Sequence, residues 1–357
     1  MVRSKTRLRL FTCALAVLVA LLSWARWLEP NLLFVTETSL ADARLPQALE
    51  GTRVAFIADL HFGAKFGPWQ VERLFRKIAS LQPDLVLFGG DLLTTEAELA
   101  ALSPEVCTRL VAAMAALTPP LGKFAVLGNH DLWSETQARA ALELLRAGGF
   151  TVLRDEVAEL APNFFVAGTA PWPMHARTSP DGRDAEAVAA RTPGDAFSLL
   201  LAHEPAQALA AHRHAFALQL SGHTHAGQVW LPIVGAPILP HGALGVRAGW
   251  TRVEALPVFT TRGVGTSILR LRFCSPPEIA VLTLLRTGTQ RPTSASDTRP
   301  REGAPSSDGQ RRPRSSAGAV SSNRRRRVVS WCSIWCSRRT AAGASGSSSC
   351  WNSQMSP

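Results

Sequence analysis

The sequence predicts an α/β domain built as a two-sheet β-sandwich flanked by helices, with an N-terminal apolar helix before it and a disordered C-terminal tail after it. Three observations carry this reading. From Arg53 onward, short apolar runs alternate with helically spaced segments; beyond Phe164 the runs dominate; after Arg286 the composition breaks. Strands that alternate with helices and then crowd together imply two sheets with helices outside them.

By composition the 357 residues divide into an apolar segment at 1–28, a linker at 29–49, a domain at 50–286 and an Arg/Ser-rich tail at 287–357. A hydrophobic fraction of 46% with 18% charged residues suits a packed core. The net charge of +11 sits at the two ends: residues 287–357 carry +9 and residues 1–9 carry +4, which leaves −2 for 10–286. The domain is therefore no basic nucleic-acid binder, and no specific nucleic-acid partner is expected. Six cysteines contain no Cys-x-x-Cys, so neither a zinc ribbon nor a disulfide framework is supported.

Leu10 to Ala25 is an uncharged run of 16 residues behind Arg3, Lys5, Arg7 and Arg9. As a helix it spans roughly 24 Å, short of a ~30 Å hydrocarbon core. Snorkelling of Arg9 and Arg26 and the interfacial preference of Trp24 and Trp27 extend its reach. A cleaved signal peptide competes, but the nearest small-x-small site, Ala41-Asp42-Ala43, lies far beyond the run, so an uncleaved membrane anchor is favoured. The leading positive charges keep the N-terminus cytoplasmic and put the domain on the extracytoplasmic side.

Within the domain, Val54 to Ala58 reads as a short buried strand. Val71, Leu74, Phe75 and Ile78 follow at helical spacing, with Pro68 near the start. Leu85 to Phe88 is the next strand; Val106, Leu110, Ala113 and Leu117 mark a second helix, closed by Pro119-Pro120. Lys123 to Leu127 is a third strand. Ser134 and Gln137 form a capping box that opens a helix to Ala147, with Gly148 as its C-cap. Later strands are Phe164 to Ala167, Phe197 to Leu201, Phe216 to Leu220, Val258 to Thr261 and Ile279 to Leu284. Residues 170–195, rich in Pro and Gly, form a long loop. The tail cannot bury enough surface to offset its chain entropy and is expected to be disordered. Its Arg324 to Arg327 block suits anionic lipid or nucleic acid, although a solvated tail is the simpler reading.

Five strand ends carry the chemistry: Asp59-Leu60-His61, Gly90-Asp91, Gly128-Asn129-His130-Asp131, Ala202-His203-Glu204 and Gly222-His223-Thr224-His225. In extended backbone, residues i and i+2 point the same way, so Asp59 and His61 can face one site, as can His223 and His225. Strand ends in an α/β sheet converge on a crevice, where ligands distant in sequence meet. Any one piece suits an ordinary turn or a hydrogen-bonded core histidine. Five in this order, each at a strand end, form a specific set.

That series resembles the motif series of the calcineurin-like metallophosphoesterases, over about residues 50–286. The apolar N-terminal run, Arg262 to Ser267, and Pro277-Glu278-Ile279 look like the family's membrane-associated bacterial branch of phosphodiesterases and UDP-diacylglucosamine hydrolases. The resemblance implies the four-layer fold and two divalent metals, with Mn, Fe or Zn suited to mixed carboxylate, imidazole and amide donors. It assigns Asp59, His61 and His225 to the first ion, Asn129, His203 and His223 to the second, and Asp91 to both. It further implies attack by a metal-bridging hydroxide, with His130 protonating the leaving alkoxide and Asp131 orienting the His130 ring. The chain departs from the branch at Ala167-Gly168-Thr169-Ala170-Pro171, where an acidic pair is expected, and at Phe259, where a tyrosine is. The leading expectation is hydrolysis of a phosphodiester or pyrophosphate, with a lipid-linked ester as one candidate. Trp172, Pro173 and Met174 suit an amphiphilic substrate or a packed lid. A metal-binding module without turnover and a protein phosphatase are the alternatives.

Overall fold

Apolar runs become strands here because both faces of each are covered. The computed structural model describes residues 2–171 and 183–287. In chain order the elements are α1 (Val2–Ser23), β1 (Phe34–Ala41), β2 (Arg53–Ile57), α2 (Pro68–Ser80), β3 (Leu85–Phe88), α3 (Glu96–Ala100), α4 (Pro104–Ala115), β4 (Lys123–Ala125), α5 (Glu135–Ala147), β5 (Thr151–Val152), β6 (Glu156–Ala161) and β7 (Phe164–Gly168). They continue with α6 (Arg183–Ala189), β8 (Phe197–Leu201), α7 (Ala208–Ala211), β9 (Leu218–Ser221), β10 (Gly249–Val253), β11 (Leu256–Thr260) and β12 (Glu278–Leu285).

Two six-stranded sheets result, ordered β1-β12-β2-β3-β4-β5 and β10-β11-β9-β8-β7-β6. In β2 the period-2 alternation sends Val54 and Phe56 between the sheets, where they meet Phe164, Phe197, Leu199 and Leu220 of the other sheet. The alternate residues Ala55 and Ile57 face outward onto α2, α4 and α5, through Leu74, Ile78, Leu110 and Leu145. Ala167, Leu200 and Val258 of the second sheet do the same against Val188 of α6 and Ala208 of α7. Strands buried on both faces need continuous apolar runs, which is why they are legible in the sequence.

The differences from expectation lie at the edges. Residues 29–49 are not a plain linker: β1 lies inside that range and pairs in parallel with β12 over its whole length, from Phe34↔Glu278 to Ala41↔Leu285. Its Thr-Glu-Thr-Ser middle is half exposed, so it lacks the apolar run of a central strand. Edge strands β5, β6 and β10 escaped notice for the same reason. The Ser134 cap forms, accepting from the Gln137 N–H at 3.2 Å. The reciprocal half of the box does not, because the Gln137 amide donates to the His130 carbonyl at 2.7 Å instead. Gly148 is the C-cap of α5 as expected, and the left-handed turn follows at Gly149, at φ +81°. The long 170–195 stretch contains α6. Trp172, Pro173 and Met174, and the tail past residue 287, lie outside the described residues.

Helix α1 continues through a π-helical turn, Trp24–Leu28, and a short turn, Glu29–Asn31. Lys5–Asn31 is long and apolar enough to cross a membrane, by length and composition.

Candidate metal centre

Strands β2, β3 and β4 run parallel to one another, as do β7, β8, β9 and β11. All five sequence-predicted pieces therefore leave the carboxyl ends of parallel strands, where an open α/β sheet forms its crevice. The backbone that delivers them is not extended. Asp59, His61, Asp91, His223 and His225 all have φ between +47° and +71°. The expectation that Asp59 and His61 co-orient as alternate residues of an extended strand is thus corrected: sharp left-handed turns aim them. Non-glycine residues in that region cost of order 1–3 kcal/mol each and persist where the surroundings enforce them. Here the enforcing contacts are backbone bonds between loops, Asp59 N–H to Gly90 O at 2.9 Å and His61 N–H to Asp91 O at 3.1 Å.

Two sets of acceptor atoms converge. In the first, one ligand atom each from Asp59, His61, Asp91 and His225 lie within 4.8 Å of one another, all buried. His61 Nε2 and His225 Nε2 face each other at 2.9 Å, and neither ring's Nδ1 has a hydrogen-bond partner. In the second, His203 Nε2 lies 3.1 Å from Asn129 Oδ1 and 3.3 Å from Asp91 Oδ2, and His223 Nδ1 lies 2.9 Å from Asn129 Oδ1. Asp91 Oδ2 is also 3.6 Å from His61 Nε2, so one carboxylate serves both sets.

The second set is informative because its tautomers are constrained. His203 Nδ1 meets the Gly89 carbonyl at 2.7 Å and His223 Nε2 meets the His241 carbonyl at 2.6 Å. A carbonyl only accepts, so each of those nitrogens donates, and a neutral ring then points a bare nitrogen at Asn129 Oδ1. Lone pairs facing lone pairs call for positive charge between them. A proton on His203 is one source: burial pulls its pKa down, but the carboxylates of Asp91, Glu204 and Asp59 together hold it well above the ordinary value. A divalent cation is the other.

The rest of the electrostatics suits a cation. Burial pushes His61 and His223 down to about 3 and holds His225 well below its ordinary value, so these rings are neutral, as ligation requires. Asp91 stays ionised; burial raises its pKa, but His203, then His130, pull it well below the usual range. Burial pushes Asp59 up to about 7, a cost that a nearby cation reverses. Asp59, His61, Asp91 and His225 could hold one ion, and Asn129, His203, His223 and Asp91 a second.

Glycine is required where the pieces meet. A Cβ on Gly128 would lie 2.1 Å from Asp91 Oδ1. On Gly90, at φ +95°, it would lie 2.7 Å from His203 Nδ1. These glycines admit the protein's own ligands.

His130 stands half buried beside both sets. Its backbone N–H donates to Asp91 Oδ1 at 2.9 Å. Its ring packs edge-on against His61, with centroids 4.9 Å apart, and stacks on Trp133 at 5.8 Å. Nδ1 meets the Thr94 carbonyl at 3.0 Å, and Nε2 lies 3.4 Å from Ser267 Oγ. Asp131 does not orient this ring. Its carboxylate is fully buried and accepts from the N–H groups of Leu93, Gly128 and Leu92 at 2.9, 2.9 and 3.2 Å. Adjacent residues in a tight turn point apart, so their adjacency in sequence did not translate into contact.

Sequence reasoning missed Arg272. It is fully buried, and its guanidinium donates to the carbonyls of Arg262, Gly263, Gly265 and Ser275. That clamp shapes the loop whose Gly265 N–H donates to the Asp59 carbonyl at 2.7 Å. No periodicity or motif marks it. Ser267 lay in the Arg262 to Ser267 stretch without a role being evident.

A two-sheet α/β scaffold with two converging sets of carboxylate, imidazole and amide donors defines a candidate metal-dependent hydrolase. The chain belongs to the calcineurin-like phosphoesterase family, whose model matches residues 52–227. It is 31% identical to the uncharacterized metallophosphoesterase YkuE of Bacillus subtilis, over 74% of this chain and 90% of the relative. It is likewise 31% identical to phosphodiesterase YaeI of Escherichia coli, over 65% of this chain and 82% of that one. The UDP-2,3-diacylglucosamine pyrophosphatase LpxG of Chlamydia muridarum is 38% identical over 30% of this chain and 31% of its own length. The chain is accordingly a hydrolase of the metallophosphoesterase type.

Proposed function

We propose that this protein is a membrane-anchored dinuclear metal phosphohydrolase that cleaves a phosphodiester or pyrophosphate bond. The observation that carries the proposal is the sharing of Asp91 between two sets of converging acceptors, 3.3 Å from His203 and 3.6 Å from His61. Asp59, His61 and His225 would hold the first ion, Asn129, His203 and His223 the second, and Asp91 both; the donor set suits Mn, Fe or Zn. When bound, such ions supply positive charge for a phosphoryl group and acidify a coordinated water.

His130 supplies the proton. With Nδ1–H committed to the Thr94 carbonyl, the ring's remaining nitrogen, Nε2, is the atom free to hold and deliver a proton to a leaving alkoxide. Its Trp133 and His61 neighbours restrict the ring, so this proton is aimed. A binding module has no need of such an aimed donor, which favours the enzyme reading.

The names of the relatives frame the substrate: a phosphodiesterase and a lipid pyrophosphatase both cleave P–O bonds between an esterified phosphorus and an oxygen leaving group. The candidate span Lys5–Asn31 supports a membrane anchor, and the positive charges before it favour an extracytoplasmic domain. Protease added outside sealed vesicles tests the sidedness; digestion from the cytoplasmic face alone overturns it.

The functional test uses the full chain in detergent with bis(p-nitrophenyl) phosphate and a nucleoside diphosphate-linked lipid. Hydrolysis that is raised by Mn²⁺ and abolished by chelator is expected. Two bound metals with no turnover of either substrate would make the protein a binding module.

A further inference from the structure

The end of the apolar helix is not a tether. Arg272 N–H donates to the Ala25 carbonyl at 2.9 Å, and Ser275 N–H donates to the buried Glu29 carboxylate, whose other oxygen accepts from Trp24 Nε1 at 2.8 Å. Arg73 of α2 donates to the Asn31 carbonyl. The helix end is thus bonded to the segment 262–275, whose Arg272 clamp supports Asp59 and whose Ser267 touches His130.

That segment also runs beside the helix, not merely beneath it. Leu271 lines an apolar groove together with Val19, Leu22, Ser23, Arg26 and Trp27. Val19 to Trp27 covers eight residue steps, or about 12 Å of helix axis. Leu271 therefore lies level with helix turns that belong to the candidate span, and any bilayer that covers Val19 and Leu22 meets this loop. Its flanking residues suit the encounter: Ile268 is 66% and Leu269 63% exposed, two large aliphatics side by side next to the groove. Trp27, which lines the groove with Leu271, and Trp69, whose neighbour Arg73 bonds the helix end at Asn31, are both exposed, and Arg26 and Arg73 lie over those two rings at 5.7 Å each. Apolar tips ringed by tryptophan and arginine are the composition of a membrane interface.

We infer that residues 266–271 form a second membrane contact that holds the mouth of the catalytic site against the head-group layer of the bilayer. This inference rests on the reading of α1 as a membrane anchor. The patch faces the lipid surface because it is continuous with the helix that enters the bilayer. Ser267 lies 3.4 Å from His130 Nε2 and is followed directly by Ile268, so the general acid opens at the depth of lipid phosphates. The substrate class narrows accordingly to phosphoesters carried in or at the membrane, which reach the site laterally, with soluble diesters turned over from bulk water.

The test uses the full chain in vesicles of phosphatidylcholine and phosphatidylglycerol that contain a photoactivatable lipid, with crosslinked peptides mapped by mass spectrometry. Crosslinks are expected in α1 and in 266–271. In parallel, Ile268→Glu/Leu269→Glu is compared with wild type on bis(p-nitrophenyl) phosphate and on a vesicle-embedded phospholipid diester. The variant is expected to keep soluble turnover within twofold while losing at least tenfold on the embedded ester. Crosslinks in α1 but none in 266–271 overturn the inference, and so does an equal loss on both substrates, which signals a folding defect. A dimer in vesicles that Ile268→Glu dissociates assigns the patch to a second copy and also overturns it. Absence of crosslinks in α1 refutes the anchor itself, and this inference with it, while leaving the soluble-diester activity to judge the catalytic reading.

Discussion

His130 Nδ1 and the Thr94 carbonyl oxygen are paired at 3.0 Å, so the ring of the proposed acid is oriented by backbone and not by its neighbour Asp131. His130 touches the ligand sets through its own N–H and its ring face, but contributes no converging acceptor atom. Replacing it therefore separates chemistry from metal binding. His130→Ala should lower kcat by about 10²–10⁴-fold with metal content unchanged. Inductively coupled plasma mass spectrometry beside diester kinetics measures both; loss of metal in this variant would return His130 to the ligands.

Asp131 acts as a brace. Three buried backbone N–H groups lose their acceptor in Asp131→Ala, at about 1–3 kcal/mol for each buried group left unpaired. A markedly lower Tm is expected, with any residual activity keeping the wild-type pH profile. A profile whose limbs move would make Asp131 the partner of His130 after all.

Asp91 is shared, so its loss should cost both ions. Asp91→Asn is expected to bind fewer than one metal per chain, where His225→Ala and His223→Ala each retain about one. Chelation of wild type should also lower Tm, since a ligand held at a hundred times its Kd stabilises by about 2.7 kcal/mol. Equal stoichiometry in all three variants would dissolve the two-set arrangement.

Close approach at Gly128 is testable with one methyl group. Gly128→Ala puts a carbon 2.1 Å from Asp91 Oδ1 and 2.4 Å from the Asp91 backbone nitrogen, so both the carboxylate and its loop must shift. Metal binding and turnover should both vanish, with a lowered Tm. Gly194→Ala is the control: nothing lies within 4 Å of its Cβ, and its stability should change by less than about 1 kcal/mol.

Arg272 holds four carbonyls with one guanidinium. Arg272→Met should cost at least ~3 kcal/mol in urea unfolding, because several buried carbonyls lose their donors together. Arg272→Lys should recover only part, since a point-charge ammonium cannot span that fork geometry. A Lys variant as stable as wild type would show that charge alone suffices.

The layers and the donors are legible in the amino-acid chain alone. Strands β2, β3, β8 and β12 are buried on both faces and so appear as unbroken apolar runs. Helix α2 appears by the spacing of Val71, Leu74, Phe75 and Ile78, and α5 by its Ser134 cap and Gly148. Local chemistry writes these features, because each depends on neighbours a few residues away. The donor residues are visible because five pieces of glycine, histidine and aspartate recur in order, each directly after an apolar run, though any one of them alone suits an ordinary turn. Tertiary structure decided the rest. It made β1 a strand through its partner β12, 244 residues distant in sequence at Phe34↔Glu278 and invisible to any window. It turned Asp59 and His61 into left-handed backbone through bonds to Gly90 and Asp91, and gave the ring of His130 to Thr94. It also buried Arg272 under a loop of carbonyls. Partners like these are set by which turns pack together, and packing between distant segments leaves no periodic trace along the chain.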